Sequence, residues 1–219
     1  MRDIQDIHAI SLSRKGEAAM RDLLTPSKSA TDLAQIPEDR WLAQLTKGVF
    51  QAGFNWKVIE AKWDGFEEAF KGFDVGACAF LDDEWFDSLL SNKAVVRNGT
   101  KLATVRDNAA FLMGLRDQGG AGHVIGGWPS TDFIGLLDLM KTNGARLGGT
   151  TAQYSLRFMG RDSWVMSADV IARLIAEGVI DKPPTSKGAQ RAVQAAFNEW
   201  MDQSDYGLTQ ISRILATSL

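Results

Sequence analysis

Apolar residues along this 219-residue chain recur at the three- and four-residue spacing of α-helices. The clearest series lies within 38–50, where Trp41, Leu42, Leu45 and Val49 share one face. No stretch shows the two-residue alternation that is typical of a half-buried β-strand. We therefore predict an all-α fold.

The same spacing predicts further helices along the rest of the chain. They are expected after a break at 51–55, over 74–81 and 83–90, from Asn98 through Leu112, from Ser167 through Ala176, and as one or two helices near the end. The stretch 1–37 carries the weakest pattern, with one short helix expected within Lys15–Leu24. The segment Gly119–Gly127 is expected to be a glycine-rich loop.

Residues 132–160 predict two helices joined by a tight glycine turn. Gly144 stands where the end of a helix favours a positive φ, and Leu147 is expected to fill the turn. The pair Gly148–Gly149 leaves the backbone bare, and Thr150–Thr151 open the second helix. Free N–H groups at the positive end of a helix dipole can hold a phosphate. The same residues are also compatible with an ordinary αα-hairpin.

Composition and charge narrow the classes of protein that remain. The net charge of −3 argues against indiscriminate binding of nucleic acid, although it allows a local basic face. The single cysteine, Cys78, excludes an intrachain disulfide, and two histidines with it cannot form a four-ligand zinc site. We expect no metal and no membrane span, and a reducing cytoplasmic setting.

Three collinear blocks resemble a known family. The block 48–56, GVFQAGFNW, resembles the EGxQAGLSW pattern of bacterial DNA-3-methyladenine glycosylase I. The block 95–111, VVRNGTKLATVRDNAAF, is similar to that family's IIRNRxKIxAxxxNAxAY. Residues 140–160 are similar to its LKKRGFKFVGPTxCYxFMQAxG. Together the blocks cover roughly residues 38–162, in the family's order and with compatible spacing.

The resemblance implies a two-lobed helix-hairpin-helix DNA glycosylase fold with a cleft between the lobes. Within a single domain over 1–219, one lobe is expected at about 38–92 and the other at 1–37 plus 93–219. The implied activity is base-excision repair: a damaged base, such as 3-methyladenine, is flipped out of duplex DNA and its N-glycosidic bond is hydrolysed. The implied enzyme is monofunctional and bacterial, uses no cofactor, and acts as a monomer.

The sequence departs from the family pattern in three respects. The family's zinc clip between its termini has no ligands here. Its N-terminal YHDxEWG block has no counterpart in 1–37. Its pocket glutamate falls on Gly48, and the neighbouring Lys47 cannot replace an acid. These departures favour a divergent branch of the family.

The base pocket and the catalytic carboxylate follow from the resemblance. Trp56 matches the pocket tryptophan, whose ring can hold a cationic alkylated purine by stacking and cation–π attraction. Asp169 matches the aspartate that the wider superfamily places after the hairpin, where it can stabilise the sugar cation or activate water. The alternatives are a core tryptophan and an acid that merely suits the start of a helix. The other expected pocket residues are Phe50, Phe54, Gln51, Asn55 and Tyr154.

Duplex DNA with damaged bases is the expected partner, held through its backbone. The expected contacts are Arg146, Gly148, Gly149, Thr150 and Thr151 of the hairpin, with Arg97 and Lys101 of the preceding segment. A solvated basic face would carry the same residues. Because Gly48 replaces an acid, a non-catalytic binder of damaged DNA is the alternative function, and a helical interaction domain unrelated to DNA is a third.

Overall fold

The computed structural model describes residues 1–219 and contains α-helices, short 3-10 turns and loops, without a β-strand. The all-α prediction is confirmed. The fifteen helices are α1 Ile4–Lys15, α2 Glu17–Leu23, α3 Ala30–Ala34, α4 Glu38–Gln51, α5 Trp56–Ala61, α6 Trp63–Ala69, α7 Val75–Ala79, α8 Asp83–Ser91, α9 Gly99–Met113, α10 Gly120–Val124, α11 Phe133–Asn143, α12 Thr150–Met159, α13 Ala168–Ala176, α14 Lys187–Asp202 and α15 Leu208–Thr217. None of them combines the length and the apolar character that crossing a bilayer requires.

The chain forms two compact units. One consists of Met1–Lys28, Pro129–Leu136 and Gly160–Leu219, and the other of Ser29–Trp128 and Leu137–Met159. We call them the terminal unit and the central unit. The lobe boundaries expected near residues 37 and 92 stay a prediction.

The central unit is built around α4. Its apolar face is buried, and α9, α12 and α10 pack against it. A run of stacked rings continues this core: Trp63 lies parallel to Phe66 and Phe73, with ring centroids 5.5 and 5.4 Å away. Burial also raises the pKa of the Cys78 thiol to about 12, so this cysteine stays protonated as a small core residue.

The terminal unit is held by α15, which packs against α1, α13 and α14. Asp162 fixes the start of α15, because its two carboxylate oxygens accept the amides of Leu208 and Thr209 at 3.0 and 2.8 Å. A carboxylate at this end also complements the helix dipole.

A buried ion-pair network closes the terminal unit near both ends of the chain. The carboxylate of Glu177 accepts the backbone amide of Arg2 at 2.9 Å and the guanidinium of Arg173 at 3.2 Å. Arg173 also donates from Nε to the hydroxyl of Ser218 at 2.7 Å and from Nη2 to that residue's carbonyl. Burial acts to raise the pKa of Glu177, but these hydrogen bonds and the two positive charges outweigh it, and the pKa is lowered.

Three local predictions need correction. The region 1–37 forms three helices, of which α1 and α3 were missed, because the apolar residues of α1 are spread around the helix and α3 has only five residues. The expected loop Gly119–Gly127 contains α10. Gly144 does not have a positive φ; the left-handed residues of this turn are Arg146 and Gly149, at φ 58° and 59°. Gly144 is needed for space instead, since an added Cβ would lie 2.5 Å from the Cδ1 atom of Leu147.

Candidate functional site

A half-open cavity of roughly 190 Å³ lies in the central unit, where α4 ends and α5 and α12 begin. Its wall is formed by Gly48, Gln51, Ala52, Trp56, Thr150, Thr151 and Tyr154. A cavity of about 150 Å³ is enough to hold a benzene ring. The space is therefore of the size that a single flat aromatic ring requires.

The break between α4 and α5 places Trp56 at the cavity. Gly53 has a φ of 95°, which lets the chain turn sharply after α4. Asn55 caps α5, because its side-chain oxygen accepts the amide of Lys57 at 2.9 Å. Asn55, which was expected in the base pocket, therefore caps a helix instead. Trp56 is the first residue of that helix.

Three aromatic rings cluster at the cavity: Trp56 and Tyr154 line its wall, and Phe158 packs against both of them. Trp56 meets Tyr154 and Phe158 edge to face, each at a centroid distance of 5.7 Å. Tyr154 and Phe158 lie nearly parallel at 6.0 Å. Trp56 is 43% exposed and Phe158 51% exposed, which is unusual for rings of this size. The wall offers apolar surface on which a flat ring can stack.

The close crossing of α4 and α12 explains Gly48. An added Cβ at Gly48 would lie 2.0 Å from the hydroxyl oxygen of Ser155. That hydroxyl donates to the carbonyl of Thr151 at 2.8 Å. A glutamate at position 48, as in the related pattern, would therefore require Ser155 to turn away and lose this bond. No carboxylate lines the cavity.

The hairpin turn between α11 and α12 borders the cavity through Thr150 and Thr151. Leu147 is buried inside the turn, as expected. Asn108 of α9 clamps the turn, since its side-chain oxygen accepts the amide of Ala145 at 2.8 Å and its Nδ2 donates to that residue's carbonyl at 3.2 Å. The turn is held in shape from behind, and its glycine side stays open.

The expected DNA contacts differ in their surroundings. Arg146 and Arg97 are exposed, as a phosphate contact requires. Gly149 and Thr150 are exposed at the start of α12, while Gly148 and Thr151 are half-buried. These positions stay predictions.

Lys101 is not available for a phosphate. Its ammonium group is buried and donates to the carbonyls of Val49 at 2.8 Å and of Ala52, which are otherwise unpaired at the end of α4. Burial, followed by the positive charge of Arg146, lowers the pKa of Lys101. The Lys101 side chain therefore caps the end of α4. The prediction that it contacts DNA is wrong.

Of the expected pocket residues, Gln51, Trp56 and Tyr154 line the cavity. Phe50 does not, because its ring is fully buried against Phe66 at a centroid distance of 4.7 Å. Phe54 is half-buried with its ring 4.7 Å from the Lys101 ammonium, and it is absent from the cavity wall.

Asp169 lies in the terminal unit, exposed in the first turn of α13. Ser167 caps this helix by accepting the amide of Val170 at 3.3 Å. These surroundings agree with the alternative that Asp169 is an acid that merely suits the start of a helix. A catalytic role for Asp169 stays a prediction.

Four residues with clear roles at the site were not singled out from the sequence. They are Asn108, Ser155, Phe158 and Glu60, which accepts a hydrogen bond from the cavity-lining Gln51 at 3.3 Å. Asn108 lies within the resemblance block 95–111, and Phe158 follows Tyr154 by four residues on the same helix face, so both could have been found. The roles of Ser155 and Glu60 depend on how helices cross, which spacing does not report.

Residues 35–124 match the model of a family described as methyladenine glycosylase. This range contains α4, α5 and α9, and the resemblance is confirmed over it. The third block, in the hairpin, lies beyond the matched residues.

Two solved structures are similar to this chain. An 8-oxoguanine glycosylase/lyase from Methanocaldococcus jannaschii, in complex with a 15-mer DNA containing 8-oxoguanine, is 13% identical with a TM-score of 0.54, over 97% of this chain and 94% of that chain. A 3-methyladenine DNA glycosylase I is 20% identical with a TM-score of 0.47, over 66% of this chain and 85% of that chain. The first likeness establishes a helix-hairpin-helix DNA glycosylase-like fold. Family match and fold together support a DNA glycosylase role in base-excision repair.

Proposed function

We propose that the chain is a monofunctional base-excision DNA glycosylase that removes alkylated purines such as 3-methyladenine. The observation that carries the proposal is one cavity with two borders: the exposed Trp56 ring on one side, and the start of the hairpin's second helix, Thr150 and Thr151, on the other. A flipped base needs a stacking surface, and its flanking phosphates need free amides. The presence of Trp56 and of the first residues of α12 at one cavity supports the proposal.

The chemistry of an alkylated purine suits this wall. Such a base carries positive charge, and an indole face attracts a cation by roughly 0.5–2 kcal/mol. A neutral base would gain only the stacking. Water adds across the N-glycosidic bond, which releases the free base and leaves an abasic sugar. Asp169 is the proposed carboxylate that stabilises the sugar cation or activates this water.

The test is release of free 3-methyladenine from methylated duplex DNA by the purified protein. We expect release by the parent chain and a loss of about tenfold or more in Trp56→Ala, because stacking on an aromatic ring is worth roughly 1–3 kcal/mol per base. Phe80→Ala is the matched control, since Phe80 is 78% exposed and does not line the cavity. Asp169→Asn is expected to slow release without weakening DNA binding.

A second candidate function is a non-catalytic binder of damaged DNA. The absence of a carboxylate from the cavity wall, with Gly48 in the acid's place, favours it. Tight and salt-sensitive binding to lesion-bearing or abasic duplex, without base release at stoichiometric protein, would replace the enzyme proposal with this one. If Asp169→Asn then also behaves as the parent, no catalytic role remains for that residue.

A further inference from the structure

A carboxylate stands directly behind the cavity wall. Glu60 of α5 accepts a hydrogen bond from Nε2 of Gln51 at 3.3 Å through one oxygen, and from Nζ of Lys47 at 2.7 Å through the other. Gln51 is only 7% exposed and lines the cavity. Gln51, the buried polar residue of the cavity wall, is thus held by the Glu60 carboxylate, which lies outside the cavity.

The spacing of these residues makes the arrangement stiff. Lys47 and Gln51 are four residues apart on α4, and Trp56 and Glu60 are four residues apart on α5. Each pair therefore shares a helix face. The contact of Glu60 with α4 fixes both the Gln51 amide and the helix that begins with the stacking residue.

The contact also fixes which way the Gln51 amide points. An ionised carboxylate only accepts hydrogen bonds, so the Gln51 nitrogen must face Glu60 and the amide cannot be reversed. The side-chain oxygen of Gln51 accepts no hydrogen bond within the protein. This oxygen is not sealed from solvent, so a ligand in the cavity can bring an N–H group to it.

The polarity of this amide distinguishes purine edges. An adenine-type edge presents an amino donor beside a ring-nitrogen acceptor, and it pairs with a glutamine amide. An oxo group in the amino position would place an acceptor against the Gln51 oxygen. Gly48 and Ala52 bring no polar side chain to the wall, and the threonine hydroxyls can rotate to donate or accept.

We propose that Glu60, anchored by Lys47, is a positioning residue that orients the Gln51 amide to select 6-amino purines over 6-oxo purines. This inference rests on the proposed function, because it assigns selectivity to the same cavity. Glu60 acts through Gln51 and does not touch the base.

The test compares two free bases that differ at one position, 3-methyladenine and 3-methylhypoxanthine. Their dissociation constants are measured by quenching of tryptophan fluorescence. For the parent chain we expect a preference of about tenfold or more for the amino base. In Glu60→Ala the amide is free to turn, and the preference falls to about twofold. Glu60→Gln still offers an acceptor to Gln51 and keeps most of the preference, while Lys47→Met falls between the two.

Glu68→Gln is the matched control, because Glu68 is an exposed acid on the neighbouring helix α6, and it leaves the preference unchanged. Equal weakening of both bases in Glu60→Ala would show that Glu60 only supports α5, and an unchanged preference would show that it does not orient Gln51. Either result overturns the inference and leaves the proposed function standing. A parent chain that quenches with neither base and releases none removes both.

Discussion

Two carboxylates of this protein each bind a residue of another chain segment, and they differ in burial. Glu177 of the terminal unit is 3% exposed at its side chain and binds Arg2 and Arg173. Glu60 of the central unit is 55% exposed and binds Lys47. The contacts are of similar length, between 2.7 and 3.2 Å.

The ion pairs of Glu177 and of Glu60 have different roles because they differ in burial. Removing one partner of a buried pair leaves a charge without compensation in a medium of low dielectric constant, which is costly. An exposed pair is screened by water and contributes at most about 1 kcal/mol. Glu177 therefore stabilises the fold, whereas Glu60 contributes mainly by orienting a cavity-lining group. The lesson is that a similar ion-pair distance has a different consequence in each unit.

The largest effect expected from this contrast is on stability. Glu177→Ala should lower the free energy of unfolding by about 3 kcal/mol or more, because the Arg173 guanidinium stays buried. Glu60→Ala should lower it by less than about 1 kcal/mol. Denaturant unfolding followed by circular dichroism measures both. Equal losses in the two variants would contradict the assignment of stability to the buried network.

Asn108 offers an intermediate case, since it is buried like Glu177 and supports the candidate site like Glu60. Asn108→Ala should cost about 1–3 kcal/mol, because two backbone groups of Ala145 lose their partners. It should also weaken DNA binding, since the hairpin turn loses its support. Asn198→Ala is a control, as it removes an amide in the terminal unit. If the turn binds DNA, only the first variant changes the affinity.

Acid should weaken the buried network. The pKa of Glu177 is lowered from 4.5, so its contribution is complete above that value and is lost as the pH falls through the lowered pKa. Unfolding measured between neutral pH and pH 3 should show a steeper loss for the parent chain than for Glu177→Gln, which has no carboxylate to protonate there. Parallel curves would mean that other acids cause the loss.

The smallest expected effect concerns the hairpin surface. Arg146→Ala should reduce the salt dependence of DNA binding, with a change in slope of about 0.9 for one phosphate contact. Stability should change little, because Arg146 is exposed. Arg146→Gly removes the same charge and also relaxes the left-handed backbone at φ 58°, so the two variants should bind DNA alike. An unchanged salt slope would remove Arg146 from the interface.

Local patterns predicted most of the helices and part of the cavity. The stripe of α4, the start of α9 after Asn98 and the start of α13 after Ser167 are all present, because each depends on neighbours in sequence. Gln51, Trp56 and Tyr154 came from the resemblance blocks. Phe50 could have been assigned to the core, since it follows Val49 on the apolar side of α4.

Other features depend on contacts between distant residues. Lys101 reaches Val49 across 52 positions, and Asn108 reaches Ala145 across 37. Neither distance leaves a periodic signal in the chain. A lysine beside the apolar stripe of α9 resembles a surface cation in sequence, although its long stem allows the ammonium to enter the protein.

The central claim is that a flipped purine occupies the cavity against Trp56 while the hairpin holds the DNA backbone. A crystal structure of the chain with an abasic duplex and free 3-methyladenine tests it most directly. The account predicts the base stacked on the Trp56 ring, its amino group at the Gln51 oxygen, and phosphates at residues 146–151. A base bound elsewhere, or a duplex that does not touch the hairpin, would contradict it.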